Sequence, residues 1–531
     1  MKEIVVCRSE YLDILEKRVR GLKEGYRQNI AFIGDEMVGK TSLVHQFLSR
    51  FCDNHFLMLY VECHPESLPA FCRRFIGVLL YAFLLPSGIP LKEDIAFLIE
   101  KSAPHIPRTA EKIRALLADL EKKKKESVFT QLSSLCDSAY QETGKFCVVL
   151  LDEFQNLESL GVKNLYKEWA QQLILQKTTM YVVISSQRFK AQNILAKNLS
   201  LLFGNFEIID VEPFDSRTSE AYLEQRLAGV SLPAGHLNFL VHFTGGNPFY
   251  LKVICDALGG CASPDLVDVL ESLLFSSSGV MNLRFQTTLK RFQDTPCAKD
   301  YVQLLHLVSG GHNKLKDIAH MLHKSQKEIT GRIGFLLETD VISRSGDFLT
   351  INDRVFSYWL RFVYQGKTTA FTFDAQSQHA SFRKSIEAMI QDFFVCLQKP
   401  VSERISEVLK LFGDDRIQVE KKKLRLTHFR EIKPVEFNAR GLKDGLICRS
   451  QDSLWVIAFK NEQMTEEDIT EFSRECKKYR HKLERKIIVS LEDLDVNSRL
   501  RALEEKIWTW DVDDLNRLFD LFSKPRIVQP V

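Results

Sequence analysis

A glycine, four intervening residues and then Gly-Lys-Thr, in the stretch GDEMVGKTS at residues 34–42, constrain this 531-residue chain more than any other feature. Such a loop holds phosphate only where a strand runs into it and a helix leaves it. Both are predicted here. Asn29–Ile33 is a short, mostly apolar stretch suited to a buried strand, and Leu43, Val44, Phe47 and Leu48 recur at helical spacing. In that setting the amides from Gly34 to Thr41 can point at phosphate oxygens, and the helix N-terminus adds its partial positive charge. Lys40 would reach the β- and γ-phosphates and the Thr41 hydroxyl would hold Mg²⁺. Gly39 lets the backbone approach where a Cβ would clash. The expected nucleotide-binding loop is therefore Gly34, Asp35, Glu36, Met37, Val38, Gly39, Lys40, Thr41 and Ser42. The bland alternative, a glycine loop with an exposed lysine, leaves the flanking strand and helix unexplained.

Such a loop also needs an acid for the metal at the end of a second strand. KFCVVLLDEFQNL, residues 145–157, supplies it: Phe146–Leu151 is an unbroken apolar run, as for a strand covered on both faces of a parallel sheet. Asp152 would then hold Mg²⁺, directly or through water, and Glu153 would polarise the attacking water as the catalytic base. Two acids that merely cap the next helix are the alternative. A third strand, MYVVISSQRF from Met180, ends in Ser185, Ser186, Gln187 and Arg188. Those residues either sense the γ-phosphate or are solvated strand-end groups. The reading is a chain that binds and hydrolyses ATP or GTP.

The length allows about three or four domains. Hydrophobic residues at 45% and charged residues at 27% match a globular chain with ample core. No apolar run is read as approaching the ~20 residues of a membrane span. The start, MKEIVVCRSEYLDIL, lacks a signal-peptide apolar region, so a cytoplasmic protein without membrane contact is expected. Twelve cysteines lie scattered without a CxxC pair, which points to neither a zinc knuckle nor a disulfide framework. His320 and His323 have no nearby cysteine or acid to complete a metal set. A net charge of +3 says little about partners; the basic runs EKKKKES at 121–127 and EKKKLRLTHFR at 420–430 are local.

Residues 1–27 read as a short strand and an amphipathic helix with Leu12, Ile14, Leu15 and Val19 on one side. Residues 66–143 read as mostly helical, and strands alternate with helices to about Asp210, giving a three-layer α/β core. Helices follow, with Ser216 expected to cap the first, Gly245-Gly246 ending another and Pro248 in the first turn of the next. Further on, three helices at about 299–309, 314–322 and 325–338 and a hairpin with Gly346 at its turn read as a winged helix. Its third helix carries Lys324, Lys327 and Arg332, suited to phosphates, but few residues suited to base edges. DNA binding and an intramolecular packing role stand equally open.

The set VVCRSEYLDIL, GDEMVGKTS, VVLLDEFQ and FTGGNPFYL resembles the archaeal-type ATPases of the STAND branch of AAA+-related P-loop NTPases, over residues 1 to about 365. The resemblance implies ATP and Mg²⁺ as ligands, a nucleotide contact from Arg8 in the opening segment, and one from the Gly246–Pro248 element. Cys7, Ser9 and Tyr11 depart from the family's opening pattern, so only Arg8 carries over, and no arginine finger can be assigned.

The last third resembles restriction-endonuclease-like domains. Asp444 and Lys460 fit the acid and the lysine of that pattern, with Glu387 as a helical acid, but Ala458 stands where a second strand acid is expected. Without that ligand the nuclease fold is expected to be degenerate. The fold expected is thus a P-loop NTPase core at 1–212, a helical lid at 213–295, a winged helix at 296–366 and a nuclease-like α/β domain at 367–531. The function expected is an ATP-binding and ATP-hydrolysing switch that couples nucleotide state to the later modules, with DNA or a protein as further partner. The alternatives are a nucleotide-regulated scaffold with negligible turnover, in signalling or defence, and an active Mg²⁺-dependent DNA nuclease.

Overall fold

The computed structural model describes residues 8–122, 127–200, 206–260, 265–369, 375–419, 422–437, 442, 444–479, 482–492 and 494–528. The strand expected before the first helix, including Cys7, and parts of both lysine runs lie outside the described residues. The chain divides into two compact units, residues 1–213 and 214–531.

The first unit is built on a five-stranded sheet in the order β2-β3-β4-β1-β5, where β1 is Asn29–Ile33, β2 Phe56–Glu62, β3 Phe146–Asp152, β4 Thr179–Ser185 and β5 Phe206–Asp210. Every pairing is parallel. Because side chains alternate along a strand, each strand feeds two cores. Ile30, Phe32, Val148 and Leu150 pack with helix α1 (Ser9–Lys23) and helix α2 (Lys40–Arg50) through Leu12, Leu15, Val19, Leu43 and Val44. Ala31, Ile33, Val149 and Leu151 pack on the opposite side with Phe71, Phe75 and Leu79. Burial on both faces explains why β1 and β4 have no exposed position. The expectation that no segment approaches a membrane span is corrected at Leu68–Ser87, whose 20 residues are long and apolar enough by composition. Its residues Leu68, Phe71, Cys72, Phe75, Ile76, Leu79, Leu80 and Leu84 are buried in the core of this unit.

In the second unit the first helix spans Ser216–Arg226, and its cap is Asp215 rather than Ser216. The Asp215 carboxylate accepts from the Thr218 amide at 2.7 Å and so satisfies a free helix donor. Helices Ala298–Ser309, Leu315–Met321 and Gln326–Glu338 precede an antiparallel hairpin of β6 (Ile342–Ser345) and β7 (Phe348–Ile351). A second hairpin, β8 (Asp415–Val419) and β9 (Lys422–Leu426), lies against it. The Asp347 amide donates to the Arg416 carbonyl at 2.9 Å and the Ser345 hydroxyl to that of Gln418 at 2.8 Å. A Cβ on Gly346, whose φ is +62°, would collide with the Arg416 carbonyl. The last sheet runs β10 (Glu431–Glu436), β11 (Asp444–Arg449), β12 (Leu454–Lys460), β13 (Leu483–Ser490) and β14 (Ile507–Trp510). The first two pairings are antiparallel and the last two parallel.

Candidate nucleotide site

The strand order places β4 between β1 and β3, so the ends of these three strands line one edge of the sheet. Here β1 is inserted between β4 and β5, two consecutive strands far along the chain from it, and such a crossover is the kind of point where ligands bind α/β sheets. The loop from Gly34 leaves β1 at that edge. Gly34 has no room for a side chain: a Cβ would run into the Val211 carbonyl, and its amide donates to Ser185 at 3.3 Å. Gly39 sits at φ +91°, a left-handed conformation open to glycine, and no side chain caps the helix it starts. An uncapped N-terminus with a Cβ-free approach fits a phosphate group.

Lys40, the first residue of α2, is 5% exposed, and its ammonium donates to the carbonyls of Gly34 at 3.0 Å and Asp35 at 2.6 Å. Burial pulls its pKa below the ordinary lysine value, although Glu153, Asp35 and Asp152 oppose that shift. The Thr41 hydroxyl donates to Asp152 Oδ2 at 2.7 Å, so the two expected Mg²⁺ ligands already meet. Asp152 is buried, and its other oxygen accepts from the Glu153 amide at 3.0 Å.

Tyr60, on β2, was invisible as a site residue in the sequence. Its hydroxyl donates to the same Asp152 oxygen at 2.9 Å. Burial, and after it the Asp152 carboxylate, drives the phenol pKa far up, so the hydroxyl keeps its proton. The signal was the parallel register that sets Glu62 beside Asp152, and register is not written in local sequence.

Glu153 stands at φ +50°, an unusual conformation for a side chain of its size and a local strain of about 1 kcal/mol. Its carboxylate accepts from the Ser186 amide at 3.1 Å and the Gln155 side chain at 2.6 Å. Arg188, two residues beyond Ser186, meets three carboxylates: Asp35, Asp210 and Glu212, each at 3.0 Å. Burial works against the Arg188 charge, but these acids outweigh it and hold its pKa above the ordinary value. Arg8 donates to the Glu212 carbonyl at 2.7 Å.

Within the loop, the side chains differ in what they offer. Val38 is fully buried among Phe32, Val44 and their neighbours, so only its backbone can meet a ligand. Glu36, Met37, Thr41 and Ser42 are exposed and Asp35 is committed to Arg188. Pro248 belongs to the second unit, where Asn247 caps its helix and it takes the first turn. The adjoining Gly246 accepts from the Phe214 amide at 2.9 Å.

Two of the three cations suited to phosphates, Lys324 and Arg332, are engaged internally, while Lys327 is exposed. Asp300 binds Lys324 at 2.6 Å and Arg332 at 3.2 Å. The nuclease pattern also comes apart. Gly445 lies opposite Ala458, so Asp444 falls on the sheet face of Leu446 and Cys448, whereas Lys460 falls on that of Val456 and Ala458. Lys460 is ion-paired with Asp468, which also accepts from the Thr465 amide and hydroxyl, both at 2.8 Å. Ala458 is fully buried, and Glu387 is exposed on a helix that reaches Asp268 and Glu271 through Arg383.

Residues 8–254 match the family described as "ATPase domain predominantly from Archaea". Nothing among curated proteins matches the chain. Among solved structures, a Walker-type ATPase of Pyrococcus abyssi is 19% identical, with a TM-score of 0.50 over 68% of this chain and 97% of that one. The ORC2 protein of Aeropyrum pernix, in ADPNP and ADP complexes, is 13% identical with a TM-score of 0.41, covering 70% and 96%. The ORC1 protein of the same organism, in complex with DNA, is 14% identical with a TM-score of 0.34, covering 67% and 93%. The Pyrococcus likeness concerns the fold. The strand order, the loop and the family match agree on one statement: residues 8–254 are similar to that family of ATPase domains.

Proposed function

We propose that the protein binds ATP with Mg²⁺ at the Gly34–Ser42 loop and hydrolyses it, and that nucleotide state acts as a switch on the second unit. The observation that carries this is the convergence of Lys40, Thr41, Asp152 and Glu153 at one sheet edge, with Thr41 and Asp152 2.7 Å apart. Lys40 exchanges its two loop carbonyls for phosphate oxygens, and the loop amides and α2 supply further donors. Thr41 and Asp152 would hold Mg²⁺, which neutralises phosphate charge when bound. Glu153 takes the proton of the attacking water once its carboxylate leaves Ser186 and Gln155. Arg188 ties Asp35 of the loop to Glu212, the residue before the last of the first unit, so a loop rearrangement reaches the exit from that unit.

Lys40→Ala removes the phosphate-facing charge, and nucleotide binding is expected to be lost in a fluorescent-nucleotide titration. Glu153→Gln keeps the shape without the base, so binding should persist while turnover drops on the order of 100-fold or more. Normal turnover in Glu153→Gln would remove Glu153 from the mechanism.

The hydrogen bonds that hold Glu153 to Ser186 and Gln155 favour a second reading, a scaffold that retains nucleotide with little turnover. Slow release of labelled nucleotide without phosphate production would select it. For the second unit we propose a winged helix at 296–366 and a degenerate nuclease-like domain after it, serving protein contacts and packing rather than DNA. Asp300 already holds both Lys324 and Arg332 and offsets part of their charge, and the turn of the β6–β7 hairpin is taken up by β8. A DNA affinity that falls steeply with salt, and falls again when Lys324, Lys327 and Arg332 are neutralised together, would overturn this assignment.

A further inference from the structure

The helix Val496–Glu504 is amphipathic the wrong way round. It buries Ser498 and Ala502, two small residues, against its own domain. Its large aliphatic side chains face outward: Val496 is 73% exposed, Leu500 56% and Leu503 67%. At 100° per residue these three fall within about 60° of one another and form one continuous ridge. A nine-residue helix gains nothing from such a ridge in water, where apolar surface is unfavourable.

Beside the ridge lies an open groove of about 720 Å³, between this helix and the helix Glu466–Cys476. Leu500 lines it from one side and Glu466, Glu467 and Glu471 from the other. The two arginines on its walls change the balance little. Arg501 is taken by Glu504 at 2.9 Å and Glu505 at 3.1 Å, which leaves Arg474 against three acids. Acids in the first turn also favour the helix dipole, and that alone would explain Glu466 and Glu467. It does not explain an apolar ridge set next to them.

We propose that this groove and ridge dock a basic amphipathic helix of a partner protein. The ridge takes apolar anchors at i, i+3 or i+4 and i+7, the spacing of helix-in-groove recognition. The acidic wall takes lysines or arginines on the flank of the same helix. A second copy of this chain is the poorer occupant, because pairing the same face would bring two acidic walls together. The groove and ridge belong to the second unit, and the proposal stands or falls without the nucleotide loop.

The probe is a fluorescein-labelled peptide of about 18 residues, with leucines at that spacing and lysines on the flank, tested on the full chain by anisotropy. Its counterpart carries glutamates in place of the lysines. The lysine peptide should bind, more weakly at higher salt, and the glutamate peptide should not. Leu500→Asp with Leu503→Asp should weaken binding at least about tenfold, and Glu467→Gln with Glu471→Gln should flatten the salt dependence. Leu500, Leu503 and Glu467 are exposed and Glu471 is half-buried, and an unchanged thermal transition identifies a folded variant. Equal binding of the two peptides, or binding indifferent to the leucine substitutions, would overturn the proposal. So would a self-association in sedimentation that disappears in the leucine variant, which would make the ridge an interface between copies.

Discussion

Two lysines that follow apolar strand residues, Lys40 opening α2 beyond β1 and Lys460 closing β12, invite the same reading and have opposite surroundings. Lys40 is buried with its ammonium on the backbone carbonyls of Gly34 and Asp35, near the carboxylates of Asp35, Asp152 and Glu153 but hydrogen-bonded to none of those carboxylates. Lys460 is neutralised by Asp468, and that carboxylate is itself fixed by the Thr465 capping box. Carbonyls are neutral acceptors that a phosphate, carrying full charge, outcompetes. A carboxylate already has the charge, so a ligand gains little by displacing it. The motif around a lysine names its chemistry only when the neighbours leave the charge available.

Substituting both lysines breaks the comparison most sharply. Lys40→Ala should abolish nucleotide binding, a loss on the order of 100-fold or more, with little change in the thermal transition. Lys460→Ala should leave nucleotide binding and turnover intact and cost about 2 kcal/mol in stability, because Asp468 is left in a largely buried place without its cation. No cleavage of single- or double-stranded DNA is expected with Mg²⁺ or Mn²⁺, with or without ATP. Cleavage lost in Lys460→Ala would mean that the two lysines do the same work after all. Ala458→Glu is expected to destabilise rather than to rebuild a metal site, since position 458 is fully buried with Val456, Ile469 and Phe472.

Much of this contrast was out of reach of the sequence. The loop, the strand before it, the helix after it and the Asp152-Glu153 pair are all local, and local patterns of apolar spacing carry them. The strand order that brings β4 between β1 and β3 is not local, nor is the register that gives Asp152 a tyrosine. In the last sheet, one step of register decides whether Asp444 and Lys460 share a face, and sequence spacing across a turn does not give that step. The same holds for Asp300, whose hold on Lys324 and Arg332 depends on how two helices pack.

Tyr60 allows a finer cut, within the nucleotide site alone. Its hydroxyl and that of Thr41 share one oxygen of Asp152, so under the proposed function Tyr60 would position that carboxylate for the metal. Tyr60→Phe keeps the ring and removes one hydrogen bond, a change of about 1 kcal/mol. The Mg²⁺ concentration for half-maximal turnover should rise roughly three- to tenfold, with nucleotide binding in the absence of Mg²⁺ unchanged. A variant that loses nucleotide binding with and without the metal would instead make Tyr60 a packing residue.

The smallest effects separate the two regions by pH. Asp520 sits between Arg354 and Arg526, which hold its carboxyl at about 2 despite its burial. A depressed carboxyl contributes stability above its unfolded pKa, and that contribution is lost as pH falls through the folded value. The window is therefore about pH 4 down to 2, and the loss is on the order of 2 kcal/mol. It should appear as faster hydrogen exchange in the helix Val512–Leu521, which carries Asp520. Asp468, also held low by Lys460 and Thr465 against its burial, loses its contribution over the same acid side. The nucleotide site responds at the other end. Lys40 must be charged to hold phosphate, and burial lowers its pKa, so affinity should fall on the alkaline side before an ordinary lysine would titrate, at about 10.4. Affinity that stays constant up to that pH would mean that the acids around Lys40 outweigh its burial. The site would then resemble the Lys460 pair more closely than its hydrogen bonds suggest.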